Sequence, residues 1–139
     1  MAVDEFHYHR GRGLPAWERI GHPLDTLTLL ACALWASEIA YTPKRLPVYL
    51  GLAVFSCLFV TKDEWVHKQV CSAGEQWLHA LLFVLHPCVL FVWGFAWASS
   101  QATGLMRAQA ILIFLFMIYQ TLYWSLSWKP PKPLQPTDR

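Results

Sequence analysis

Long apolar stretches separated by short polar segments dominate the hydropathy pattern of the chain. Most are close to the roughly 20 residues that a helix needs to cross the hydrocarbon core of a bilayer. The second apolar stretch is strictly apolar only as far as Thr61. No proline or glycine interrupts the chain between Thr61 and Gly74, so the predicted helix extends into this polar stretch. The pattern predicts an all-α, polytopic membrane protein, a four-transmembrane-helix bundle with helices over residues 22–41, 47–72, 75–98 and 105–128.

Polar segments flank the predicted membrane domain at both ends. Residues 1–21 hold charges and histidines but lack the apolar stretch of a signal peptide, so they are predicted to form an N-terminal cytoplasmic arm. Within this arm, His7 and His9 are expected to be exposed, although a flexible His7–His9 stretch could also swing toward the cytoplasmic surface of the bundle. Residues 129–139 contain four prolines and are predicted to form an extended cytoplasmic tail.

The composition supports a membrane protein. Hydrophobic residues make up 55% of the chain and charged residues only 14%, whereas charged residues make up roughly 25% of typical soluble domains. The net charge of +2 is small, and the basic residues are scattered near helix ends, so nucleic acid is not an expected partner. The expected partners are the lipid bilayer and either a lipid-soluble substrate or other membrane subunits.

The distribution of lysine and arginine predicts the orientation. Three cations, Lys44, Arg45 and Arg107, lie on one side of the predicted bundle. The other eight lie on the opposite side: Arg10, Arg12, Arg19, Lys62, Lys68, Lys129, Lys132 and Arg139. Because cytoplasmic loops are enriched in Lys and Arg, both termini are predicted to be cytoplasmic, in the cell inner membrane.

Carboxylates and imidazoles occur as pairs near the predicted cytoplasmic ends of three helices. The members of each pair are three or four residues apart, so they share one face of a helix. Ligand pairs of this kind, contributed by several helices, build the di-iron and di-manganese sites of helical bundles. Oxygen and nitrogen ligands suit iron, manganese or zinc. The predicted metal ligands are His22, Asp25, Glu64, His67, Glu75 and His79.

Each of these residues also has a simpler interpretation. A carboxylate in the first turn of a helix is stabilised by the helix dipole, and charged residues near Glu64 are typical of a solvated interface. His79 carries a stronger signal, because ionisable groups inside an apolar helix are costly and usually face the bundle interior. The proposed site therefore depends on all three pairs lying on the same side of the bundle and at the same depth.

Two further residues are predicted to contact a cofactor. His86 lies two turns deeper than His79 on the same helix face and is either a ligand or a core imidazole that hydrogen-bonds a neighbour such as Ser56, Tyr119 or Gln120. Tyr123 of the last helix is placed to donate a hydrogen bond to a metal ligand, although ordinary interhelical hydrogen bonding is the simpler interpretation.

These features favour an integral membrane metal-binding protein. The specific hypothesis is an oxidoreductase or other metal-dependent enzyme that acts on a membrane-soluble substrate at the cytoplasmic interface. The catalytic residues are not identified by the sequence. The chain has no HxxHH motif, so it does not resemble the histidine-box desaturases and hydroxylases. The alternative is a non-enzymatic accessory subunit or carrier of a membrane complex, and a proton or cation transporter is a third possibility, since buried histidines and carboxylates also form relays.

Overall fold

The computed structural model describes residues 4–10, 13–64, 71–100 and 103–126, and this part of the chain is helical without strands. A single π-helical turn, Asp4–His9, precedes the long helices. The four long helices are α1 (Ala16–Glu38), α2 (Leu46–Phe59), α3 (Ala73–Ala98) and α4 (Thr103–Leu126). Short 3-10 turns, Pro43–Arg45 and Val60–Asp63, flank α2. The predicted all-α class is confirmed.

Three helical stretches of the described chain are long and apolar enough to cross a membrane. They are Pro43–Lys62, Ala73–Ala98 and Gly104–Leu126. Helix α1 is not among them, because Glu18, Arg19, His22 and Asp25 interrupt its first half. The predicted count of four membrane-spanning helices is therefore not confirmed, although four long helices are present.

Helix α1 occupies the centre of the bundle. It packs against each of the other long helices, most extensively against α4. Its buried face carries small residues, including Cys32, Ala33 and Ala36, which allow neighbouring helices to approach closely. These residues form one core with Tyr49, Leu90 and Trp93 and their neighbours.

The outer faces of α2, α3 and α4 are apolar. Large side chains such as Leu58, Phe91 and Leu112 are exposed on these faces. An apolar surface of this extent would be unfavourable in water, because monomeric soluble proteins rarely expose large contiguous apolar patches. The arrangement is the one expected of a bundle whose solvent is lipid.

The ends of two helices differ from the sequence-based boundaries. Helix α1 begins at Ala16, earlier than the predicted start near residue 22, so that Pro23 lies inside the helix, where it removes one backbone hydrogen bond. The extra turns bury Glu18 and Gly21. At the other boundary, α2 ends at Phe59 and continues only as a 3-10 turn. The rest of the predicted extension includes residues 65–70, which lie outside the described residues.

A close approach between α2 and α3 makes one glycine essential to the packing. The Tyr49 hydroxyl donates a 2.6 Å hydrogen bond to the Leu90 carbonyl, which places the tyrosine ring against Gly94. A Cβ atom at Gly94 would lie 2.7 Å from Tyr49 Cε1, whereas a Cβ atom at Gly51 would meet nothing within 4 Å.

We therefore expect Gly94→Ala to destabilise the bundle by about 1–3 kcal/mol, because the core must move to admit the methyl group. Gly51→Ala should be neutral or stabilising by up to about 1 kcal/mol, because alanine is the better helix former. Thermal unfolding in detergent, followed by circular dichroism, measures both. Equal melting temperatures for the two variants would contradict the close contact at Gly94.

Candidate metal centre

Acidic and imidazole side chains from three separate segments meet at one end of the bundle. The N-terminal π-helical turn supplies three of them, the start of α1 supplies two, and the start of α3 supplies two. We call these residues the acid–imidazole cluster: Asp4, Glu5, His9, Glu18, His22, Glu75 and His79. Their convergence creates a dense group of metal-ligand types in the interior of the protein.

The local helical geometry explains how each segment presents its ligands. Glu18 and His22 are four residues apart on α1, as are Glu75 and His79 on α3, so each pair occupies one helix face. The Ser72 side chain accepts a 3.4 Å hydrogen bond from the backbone N–H of Glu75. This N-cap sets where α3 begins and thereby fixes the position of Glu75 at the end of the bundle.

The first half of the cluster is a group of four side chains around Asp4. His79 Nε2 lies 2.9 Å from Asp4 Oδ1, and His9 Nε2 lies 3.3 Å from the same oxygen. His9 Nε2 is also 3.5 Å from Glu75 Oε1. One candidate ligand atom from each of Asp4, His9, Glu75 and His79 lies within 4.8 Å of the others, so this group could hold a metal ion.

The second half of the cluster shares His9 with the first. His9, Glu18 and His22 also offer ligand atoms within 4.8 Å of one another. The His9 and His22 ring centroids are 4.6 Å apart, and His22 Nε2 lies 3.9 Å from Glu18 Oε2. His9 is therefore the junction between the two groups.

His9 is almost completely buried, with 1% of its surface exposed. Its ring nitrogens lie within ion-pair distance of Asp4, Glu5 and Glu75, but neither forms a hydrogen bond of regular geometry within the part of the chain that the structure describes. Buried polar groups are normally hydrogen-bonded, because desolvation without a partner costs free energy. Coordination of a metal ion is one arrangement that would satisfy such an imidazole.

The carboxylates of the N-terminal turn are held in their charged form. Burial by itself would raise the pKa of Asp4, but the hydrogen bond with His79 and the proximity of His9 and His22 lower it well below its usual range. Burial likewise opposes ionisation of Glu5, yet His9, Trp124 and Gln120 lower its pKa overall. Ionised carboxylates are the form that binds a cation.

Helix α4 orients Glu5 from the opposite side. Trp124 Nε1 donates a 2.7 Å hydrogen bond to Glu5 Oε1, and Gln120 Nε2 donates a 3.4 Å bond to Glu5 Oε2. Gln120 is itself held by Thr26 of α1, whose hydroxyl donates to Gln120 Oε1 at 2.7 Å. Hydrogen bonds of this kind orient the carboxylates of metal sites.

The structure brings together three of the six predicted metal ligands, His22, Glu75 and His79. Asp25 lies nearby but forms a 2.7 Å ion pair with Lys62. Glu64 is exposed and belongs to neither ligand group. His67 lies outside the described residues.

The two predicted cofactor contacts, His86 and Tyr123, belong to neither ligand group. His86 Nε2 is hydrogen-bonded to the Ser56 hydroxyl at 2.9 Å, one of the partners considered from the sequence. Tyr123 stacks on Tyr119, with ring centroids 5.5 Å apart, and the Arg10 guanidinium lies over its ring. Both residues are thus placed in packing or hydrogen-bonding roles beside the cluster.

Four members of the cluster were not predicted from the sequence: Asp4, Glu5, His9 and Glu18. His9 was expected to be exposed and is instead buried, whereas His7 is exposed as expected. The available signal was spacing, since Glu5 and His9 are four residues apart, like the Glu75 and His79 pair. The N-terminal arm has no apolar stretch, so its sequence does not predict where this pair lies relative to the helices.

A cavity of about 310 Å³ adjoins the cluster. Asp4, His22 and His79 form part of its wall, and apolar side chains of α1 and α3 form half of the remainder. The candidate ligands therefore face a partly open cavity into which a small molecule could fit.

No family model, curated protein or solved structure matches the chain. Its function must therefore be argued from the geometry and chemistry of the cluster.

Proposed function

We propose that this protein is an integral membrane metalloprotein that binds two transition-metal ions in the acid–imidazole cluster. The observation that carries the proposal is the gathering of four carboxylates and three imidazoles, with the buried His9 shared by two ligand groups. A single structural zinc ion needs only four ligands, so the six side chains of the two ligand groups, with Glu5 beside them, are better matched to a pair of ions. Such a pair would also offset the negative charge of several buried carboxylates.

The ligand chemistry favours iron or manganese, with zinc as the third candidate. Carboxylates from several helices, combined with a smaller number of histidines, form the ligand set of di-iron and di-manganese helical bundles. Two such ions, when bound, supply Lewis acidity and the capacity for redox chemistry. The protein's own side chains supply the ligands, and the hydrogen bonds of Trp124 and Gln120 orient Glu5.

We further propose that the centre acts on a membrane-soluble substrate at the cytoplasmic interface. The cluster lies at the end of the bundle where α1 and α3 begin, and the apolar faces of α2, α3 and α4 are suited to lipid. The adjoining cavity has mostly apolar walls, which favour an apolar reactant over a sugar or nucleotide.

Elemental analysis of the purified full-length chain tests the metal proposal. We expect about two ions per chain in the wild type, and about one in Glu75→Gln, because this substitution removes a charged ligand of one group only. Glu64→Gln is the matched control: it makes the same chemical change at an exposed carboxylate outside both groups, and it should retain about two ions.

Protein prepared with iron, manganese and zinc supplied together shows which metal the site prefers. Metal-free wild type after this loading would overturn the proposal and favour the non-enzymatic accessory subunit. Equal metal content in the Glu64 and Glu75 variants would show that the metal is bound elsewhere.

A further inference from the structure

The cavity beside the cluster is bounded by α1, α3, α4, the N-terminal turn and the 3-10 turn after α2. We call it the substrate cavity. Its wall has a polar end beside the cluster and an apolar region along α3, formed by Leu82, Phe83, Leu85 and Val89. We infer that this cavity binds a molecule with a single apolar chain and a small polar end, a long-chain alkyl or isoprenoid alcohol being the simplest member of the class. The inference rests on the proposed metal function, because it places the polar end beside the metal ligands.

The shape of the cavity favours an elongated ligand. His79 and Val89 both line it, and ten residues of helix separate them along α3, which corresponds to about 15 Å at 1.5 Å per residue. A volume of about 310 Å³ spread over such a length leaves a narrow space. One hydrocarbon chain suits this space, whereas the two chains of a diacyl phospholipid do not.

The polar groups in the deeper wall are paired with one another. His86 lines the cavity, but its Nε2 atom is hydrogen-bonded to Ser56 at 2.9 Å. Ser56 is in turn 2.8 Å from the Thr28 hydroxyl. Because these groups satisfy each other, the deeper cavity suits an apolar chain, and the polar end of a ligand would lie at the cluster end, where Asp4, His22 and His79 line the wall.

The cavity has an opening toward the outside of the bundle. Leu85 and Val89 line the cavity yet are 46% and 39% exposed. They lie within Ala73–Ala98, a helix apolar enough to cross a membrane. A ligand dissolved in the bilayer would therefore enter between apolar side chains without crossing water.

Photolabelling tests this inference on the full-length chain in nanodiscs of dioleoylphosphatidylcholine. The probe is hexadecanol that carries a diazirine within its chain, and mass spectrometry locates the labelled residues. We expect labels on the α3 residues that line the cavity. Unlabelled hexadecanol and geranylgeraniol serve as separate competitors, and the better competitor shows whether alkyl or isoprenoid chains are preferred.

Two matched pairs of variants locate the binding site. Val89→Phe fills the cavity, whereas Val84→Phe adds the same ring at an exposed position that does not line it. Leu82→Phe and Leu81→Phe form a second such pair on neighbouring residues. We expect labelling to fall about tenfold in the cavity-lining variants, because overpacking a fitted site weakens binding by this order, and to stay unchanged in their controls.

Metal content is measured on the same samples, so the two proposals can fail separately. Bound metal with no specific labelling, or equal labelling of each variant and its control, would overturn the chain-binding inference while leaving the metal site standing. Specific labelling of metal-free protein would support the cavity and overturn the metal proposal. The combination of full metal content with lost labelling in Val89→Phe and Leu82→Phe is the result that we expect.

Discussion

Replacing His9 by alanine should remove both metal ions from the acid–imidazole cluster, whereas replacing His7 should leave both bound. His9 belongs to both ligand groups and is 1% exposed, while His7 lies in the same π-helical turn and is exposed. Replacing a residue that only supports a metal ligand lowers metal affinity by about 10–100-fold. Replacing a ligand shared by two ions should therefore lower metal affinity by more than about tenfold. Elemental analysis of the two variants and the wild type measures the difference.

A second measurement separates lost binding from lost structure. A ligand that binds only the folded protein raises its melting temperature. Adding metal to chelated protein should therefore raise the melting temperature of the wild type and of His7→Ala, but not that of His9→Ala. If His9→Ala retained both ions and the same metal-dependent stabilisation, His9 would not be a shared ligand.

Replacing Lys62 by methionine should destabilise the bundle far more than replacing Arg107 by methionine. The Lys62 ammonium lies 2.7 Å from Asp25, with side chains only 16% and 13% exposed, so its removal takes the nearby cation away from a mostly buried carboxylate. Breaking a mostly buried pair in this way should cost about 2–4 kcal/mol. The Arg107–Glu38 pair has exposed fractions of 59% and 48%, and pairs of this kind contribute only about 0–1 kcal/mol.

Equilibrium unfolding in mixed detergent micelles measures the free energy of unfolding of each variant. The double variant Lys62→Met with Asp25→Asn should recover much of the stability lost in Lys62→Met, because it also removes the buried negative charge of Asp25. No recovery, or equal losses in the Lys62 and Arg107 variants, would mean that the Lys62–Asp25 pair does not stabilise this end of the bundle. The same series shows whether Asp25 acts as a structural partner of Lys62 or is needed for metal content.

The pairing of acids with histidines at helical spacing was visible in the sequence, and it brought His22, Glu75 and His79 into the hypothesis. Helical periodicity determines which side chains share a face, and this information is local to each segment. The partner that each face meets is not local. Asp25 illustrates the difference, because its position on α1 was evident while its ion pair with Lys62 depends on how α1 packs beside the end of α2.

The N-terminal turn shows the same limit more strongly. Its residues are polar, so hydropathy gave no reason to bury them, yet Asp4, Glu5 and His9 lie inside the cluster. Their burial depends on contacts with residues far along the chain, such as Trp124 for Glu5 and His79 for Asp4. The local sequence of one short segment does not predict contacts with residues so far along the chain.

The amino-acid sequence alone determined that this chain is helical, that several of its helices suit a bilayer, and that acids and histidines share helix faces. Local composition and periodicity are sufficient for these properties. Only the tertiary structure decided that the polar N-terminal turn folds into the end of the bundle, that α1 is its central helix, and that His9 joins two ligand groups. Those outcomes depend on the packing of distant segments, in which the burial of charged groups is compensated only by partners that the fold brings together.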